Sequence, residues 1–163
     1  MSIDRVAVNA SPLITLYRAN LHPLLPQMFP EILVPEAVWA EVVSRTHHDP
    51  AAQGLPTAVW ARQTHATILP EVEAWNLGAG ETALLSLAFS DKSTVVILDD
   101  RAARRCAQVF GIATIGTAGV VVLAKRRGLI PTVEQALRQL QAAGLWMSEA
   151  LISQLAAEDQ PSI

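Results

Sequence analysis

The run Thr94-Val95-Val96-Ile97-Leu98 constrains this chain more than any other segment. Its β-branched and aliphatic side chains, uninterrupted by polar residues after Thr94, describe a strand covered on both faces. Asp99-Asp100 follow at once, then a helical segment Arg101 to Phe110, then a second apolar run, Ile112 to Ile115. Strand, helix and strand in such quick succession make a crossover unit with the two strands parallel. The same alternation starts at the N-terminus, with a strand Arg5 to Val8 and a helix opened by Ser11 as N-cap and Pro12 at the first helical position. A short helix Leu21 to Met28, a strand Ile32 to Val34 and a helix Glu36 to Ser44 come next. Thr46 to Pro56 has the composition of a loop, Thr57 to Arg62 of a helix, and Ala66 to Leu69 of a strand. Glu81 to Phe89 is helical after Gly78 to Gly80, and the C-terminal part reads as helices Val120 to Arg127, Val133 to Ala143 and Glu149 to Ala157, the last capped by Ser148. The expected fold is a three-layer α/β/α sandwich around a mainly parallel sheet, in one domain over residues 1–157, with a disordered tail over 158–163.

At 163 residues the chain suits one domain with a substantial core. Hydrophobic residues make up 51% and charged ones 17%, which is apolar enough to expect a homodimer that hides some surface. No apolar run reaches the ~20 residues of a membrane span. The opening Met1-Ser2-Ile3-Asp4-Arg5 lacks the pattern of a secretory signal, and a single cysteine, Cys106, forms no internal disulfide, so the expected location is the cytoplasm. The net charge of −3 gives no overall attraction to nucleic acid, but Arg101, Arg104 and Arg105, and Lys125-Arg126-Arg127, form local basic clusters. They suit a phosphate backbone or, equally, solvated helix ends.

Parallel strands end on one edge of the sheet, where the residues that follow them share a crevice. Asn9 follows the first strand, Asp99 and Asp100 the best one, and Gly116-Thr117 the run at Thr114-Ile115; Glu81 opens a helix nearby. Oxygen donors without Cys or His are the set preferred by Mg²⁺ or Mn²⁺. Each acid alone has a plainer role: Glu81 complements a helix dipole, Asp99 or Asp100 caps a helix, Glu41 is solvated, and Asn9 forms a turn. His47-His48-Asp49 lacks zinc spacing, Cys106 suits a small buried side chain, and Trp39, Trp60, Trp75 and Trp146 suit packing or interface anchors.

The segments Val8-Asn9-Ala10-Ser11-Pro12-Leu13-Ile14, Val34-Pro35-Glu36-Ala37-Val38 with Glu41, Gly80-Glu81-Thr82-Ala83, Leu98-Asp99-Asp100-Arg101-Ala102-Ala103-Arg104 and Gly116-Thr117-Ala118-Gly119, in that order, resemble a PIN domain. The likeness covers roughly Val6 to Leu155 and is strongest to the short prokaryotic subgroup related to VapC-type toxins. The resemblance implies an acid cluster that holds Mg²⁺ or Mn²⁺ for hydrolysis of RNA phosphodiesters. By position, the metal ligands would be Asn9, Glu41, Glu81 and Asp100 with Asp99 adjacent. Glu41, Glu81 and Asp100 would be catalytic, Ser11 and Thr117 would support them, and Arg101, Arg104 and Lys125 would steady the RNA. The subgroup implies a small antitoxin partner. Two positions depart from the family pattern: Asn9 stands where an Asp is usual, and Glu81 is one methylene longer than the common Asp. Asn9 leaves open a second reading, a catalytically silent module that binds RNA or protein. A receiver-like domain with a phospho-acceptor at Asp99-Asp100 is disfavoured because Lys125 lies a helix too far on.

Overall fold

In a computed structural model describing residues 2–161, five strands form one sheet: β1 (Arg5–Val8), β2 (Glu31–Pro35), β3 (Ala61–Thr64), β4 (Val95–Ile97) and β5 (Thr114–Ile115). All neighbours are parallel and the order is β3-β2-β1-β4-β5. The chain winds outward from β1 in one direction to β3, then returns to β1's other side for β4 and β5. The sequence of connections therefore reverses between β1 and β4, and the strand ends splay into a crevice there.

Alternation along β1 builds the two outer layers. Val6 and Val8 enter one core with Ile97, against α1 (Ala10–Arg18), α3 (Glu36–Val43), α8 (Thr117–Arg126) and α9 (Val133–Ala142). Ala7 enters the other with Val96 and Leu98, against α6 (Ala79–Ser90) and α7 (Arg101–Val109). The central strands β1, β2 and β4 are largely apolar on both faces because both faces are covered. The remaining helices are α2 (Leu24–Met28), α4 (Pro50–Gly54), α5 (Pro70–Glu73) and α10 (Glu149–Leu155). This is the α/β/α sandwich expected from the sequence.

Several local expectations need correction. Asn9, not Ser11, is the N-cap residue of α1, which puts Pro12 inside the first turn, where its missing N–H has no intrahelical partner to lose. The helix expected over Thr57 to Arg62 is replaced by a 3₁₀ turn, Leu55–Thr57, and the edge strand β3, whose register follows β2 from Ile32↔Ala61 to Pro35↔Thr64. Ala66 to Leu69 carries no strand.

The expected loop Thr46 to Pro56 contains α4, organised by Asp49, whose side chain is 2% exposed. Asp49 accepts from the Ala51 and Ala52 amides, and from Arg18 Nη2 at 3.1 Å and Arg45 Nε at 2.9 Å. Burial works to raise the Asp49 pKa, and the Arg45 hydrogen bond, the two amides and the Arg45 charge outweigh it, leaving the pKa below the ordinary value.

The tail is also ordered further than expected. Ala156–Asp159 form a 3₁₀ turn, Glu158 pairs with Arg126, and Asp159 accepts from the Val133 and Glu134 amides at the start of α9. Ser162 and Ile163 lie outside the described residues. Cys106 is buried, which pushes its thiol pKa up, as suits a small core side chain.

Candidate metal centre at the sheet switch point

Asn9 stands at the reversal of the sheet. Its amide donates to the Ile97 carbonyl at 3.1 Å, which joins the end of β1 to the end of β4. The side chain is 3% exposed. Nδ2 donates to Glu81 Oε1 at 3.3 Å, while Oδ1 is buried with no hydrogen-bond partner. A buried, unpaired carbonyl oxygen costs about 1–3 kcal/mol unless something meets it.

Two glycines open the space around it. A Cβ on Gly80 would lie 3.0 Å from Glu41 Oε2, 3.4 Å from Val38 Cγ2 and 3.5 Å from Asn9 Oδ1, so Glu41 from α3 and Asn9 from β1 both reach the start of α6. A Cβ on Gly78 would lie 2.5 Å from Glu81 Oε2, so the Glu81 carboxylate is folded over the helix entrance. Glu41 also borders a groove with Ser11, Arg18 and Arg45. Ser11 itself is exposed, and its carbonyl accepts from Thr15 Oγ1.

The acid pair divides. Asp100 is exposed, and its Oδ2 accepts from the Ala103 amide as the N-cap of α7. Asp99 turns to the next helix: Oδ1 accepts from the Thr117 amide at 2.9 Å and Oδ2 from Thr117 Oγ1 at 2.6 Å. Consecutive acids thus cap two different helices, α7 and α8. A Cβ on Gly116 would lie 3.1 Å from Asp99 Oδ1 and 2.9 Å from Arg104 Nη1, which also donates to the Leu98 carbonyl. Thr117 is fully buried and makes both of these hydrogen bonds to Asp99.

The structure therefore brings Asn9, Glu41 and Glu81 together beside β1, and Asp99, Thr117 and Arg104 at the neighbouring end of β4. Asp100 caps α7 through Oδ2. Lys125 is not part of the cluster: Thr117 opens α8 at the crevice and Lys125 lies about 12 Å further along the axis, donating to the Pro131 carbonyl. Arg101 is exposed at the start of α7.

Among the described residues, no group of three or more His, Cys, Asp or Glu is close enough to hold a metal by itself. The donor set is two carboxylates with a free amide oxygen. It suits a hard ion that keeps most of its waters, as Mg²⁺ does when bound by one or two carboxylates plus substrate phosphate. The unpaired Asn9 Oδ1 is the observation that such an ion would satisfy.

An all-parallel sheet with hard oxygen donors at its switch point defines an α/β/α domain with a candidate metal centre. The DUF3368 family model, described as a PIN domain, matches residues 5–160, and the chain belongs to the PIN-domain family. No curated protein matches it. No helix among the described residues is long and apolar enough to cross a membrane.

Proposed function

We propose that the protein is a Mg²⁺- or Mn²⁺-dependent endoribonuclease, with Asn9, Glu41 and Glu81 holding the ion and Asp99 facing the same crevice. The unpaired, buried Oδ1 of Asn9, whose Nδ2 meets Glu81 and whose Oδ1 shares the Gly80 position with Glu41, carries this reading. When bound, the ion supplies Lewis-acid polarisation of the scissile phosphate and lowers the pKa of water. Glu81 and Glu41 contribute negative charge at the start of α6, and Asn9 a neutral oxygen. Thr117 fixes the orientation of Asp99 through two hydrogen bonds, and Arg104 places positive charge beside it. Arg101 supplies a further cation for the RNA backbone.

Within the family, the VapC-type role implies a small antitoxin that covers the crevice, a homodimer and a cytoplasmic setting, and these belong to the proposal. A second reading has its own observation. Asn9 donates to Glu81 where an acid would repel it, so the residues tolerate each other without an ion. A silent module binding RNA or protein would look the same.

Incubating a mixed single-stranded RNA pool with purified protein and Mn²⁺, Mg²⁺ or EDTA separates the two. Metal-dependent cleavage that disappears in Glu81→Gln and Asp99→Asn supports the nuclease. A folded, partner-free sample that shows no cleavage with any metal supports the silent module.

A further inference from the structure

From the wall of the Asp99 crevice we infer that Trp146 is a stacking platform for an unpaired base, with the arginines of α7 holding the adjoining phosphates. The inference rests on the reading of the crevice as a nucleic-acid site.

A groove of about 680 Å³ runs from Asp99 and Gly116 past Arg101 and Arg104 to Leu145 and Trp146. It continues along α7 past Arg105 and Gln108. Trp146 is 84% exposed. Its neighbours are not: Met147 is buried and Leu145 is packed against the core. The segment is pinned on one side by Gly144, whose φ of +109° ends α9, and on the other by the Ser148 cap of α10. The ring is therefore held out in water by an ordered turn, against the hydrophobic effect. The other tryptophans differ, since Trp39 and Trp60 are packed against the core and Trp75 meets Phe110 edge-on.

Charge points the same way. Arg5, Arg18, Arg45, Arg62, Arg126 and Arg138 are each in an ion pair. Arg101, Arg104 and Arg105, at i, i+3 and i+4 on one face of α7, are in none among the described residues. Arg104 is turned back toward Leu98 and Asp99, while Arg101 and Arg105 are exposed. The like charges of Arg101 and Arg105, exposed on one helix face, repel one another, and an anion relieves them. A basic track beside an exposed aromatic is the arrangement that binds single strands with little sequence preference.

Binding of a short fluorescent single-stranded RNA is measured by anisotropy in EDTA, so that cleavage plays no part. Trp146→Ala is expected to weaken binding by about 5- to 150-fold, the range for losing one stacked base. Trp146→Phe should retain most of the affinity, and an abasic strand should bind both proteins alike. Arg101→Ala with Arg105→Ala should flatten the salt dependence by about 0.7 in log–log slope per lost contact. If the unmodified protein binds RNA and Trp146→Ala binds equally well, the stacking inference fails while the nuclease reading stands. If Trp146→Ala changes only the oligomeric state, the indole is a protein interface and the inference is overturned. If the unmodified protein binds no RNA, the stacking inference fails, and cleavage with Mn²⁺ decides the nuclease reading separately.

Discussion

Replacing Thr117 with valine removes one oxygen and keeps the β-branched shape at a fully buried position. The lost hydroxyl donates to Asp99 Oδ2 at 2.6 Å, a distance typical of a hydrogen bond to a carboxylate. Such bonds contribute about 1.5–3 kcal/mol. Asp99 is only half-buried, so water takes up part of the loss, and the Thr117 amide still donates to Oδ1. The expected cost is about 1–2 kcal/mol, or roughly 2–8 °C in Tm for a chain of this length. Urea and thermal unfolding of Thr117→Val, Asp99→Asn and the double variant close a mutant cycle. The account requires the double variant to cost less than the sum of the singles, by about 1 kcal/mol. Additive singles, or an unchanged Tm in Thr117→Val, would refute the claim that Thr117 fixes Asp99.

Asp49 is charged and paired in the folded state with a depressed pKa, so its stabilisation is complete above the ordinary Asp value of about 3.9 and fades as pH falls through the lower folded value. The gap in urea midpoint between the unmodified protein and Asp49→Asn should accordingly shrink on acidification; a gap independent of pH contradicts the ion-pair account. Asn9→Asp places a second carboxylate against Glu81, which lowers stability without metal and gives Mn²⁺ a stronger site. Its Tm should be lower in EDTA and rise more with Mn²⁺ than that of the unmodified protein, and an equal response in both means that residue 9 does not face the ion.

Where side-chain pattern alone dictates structure, the sequence was readable. β1 and β4 stand out because both faces are covered and every position after Arg5 is apolar, and the strand–helix alternation left only a parallel sheet. β3 was not readable: Ala61-Arg62-Gln63-Thr64 has little strand character, and only the backbone of β2 beside it makes an edge strand. α4 was hidden because Asp49 depends on Arg18 and Arg45, one of them 31 residues away. The acid pair shows the same limit at the site. Local pattern makes either Asp99 or Asp100 a cap, and the choice is set by Thr117, 18 residues later. Asp159 likewise orders the tail by reaching back to α9. Trp146 looks like a packing residue until the turn that holds it outward is seen.

Titration of Mn²⁺ into the purified protein, followed by calorimetry, tests most directly whether Asn9, Glu41 and Glu81 form a metal site. The account predicts saturable binding that Glu41→Gln and Glu81→Gln each weaken by tenfold or more, about 1.4 kcal/mol, while Asp100→Asn, a cap residue, leaves it nearly unchanged. Absence of binding, or binding insensitive to Glu41 and Glu81 but lost with Asp100, would contradict it.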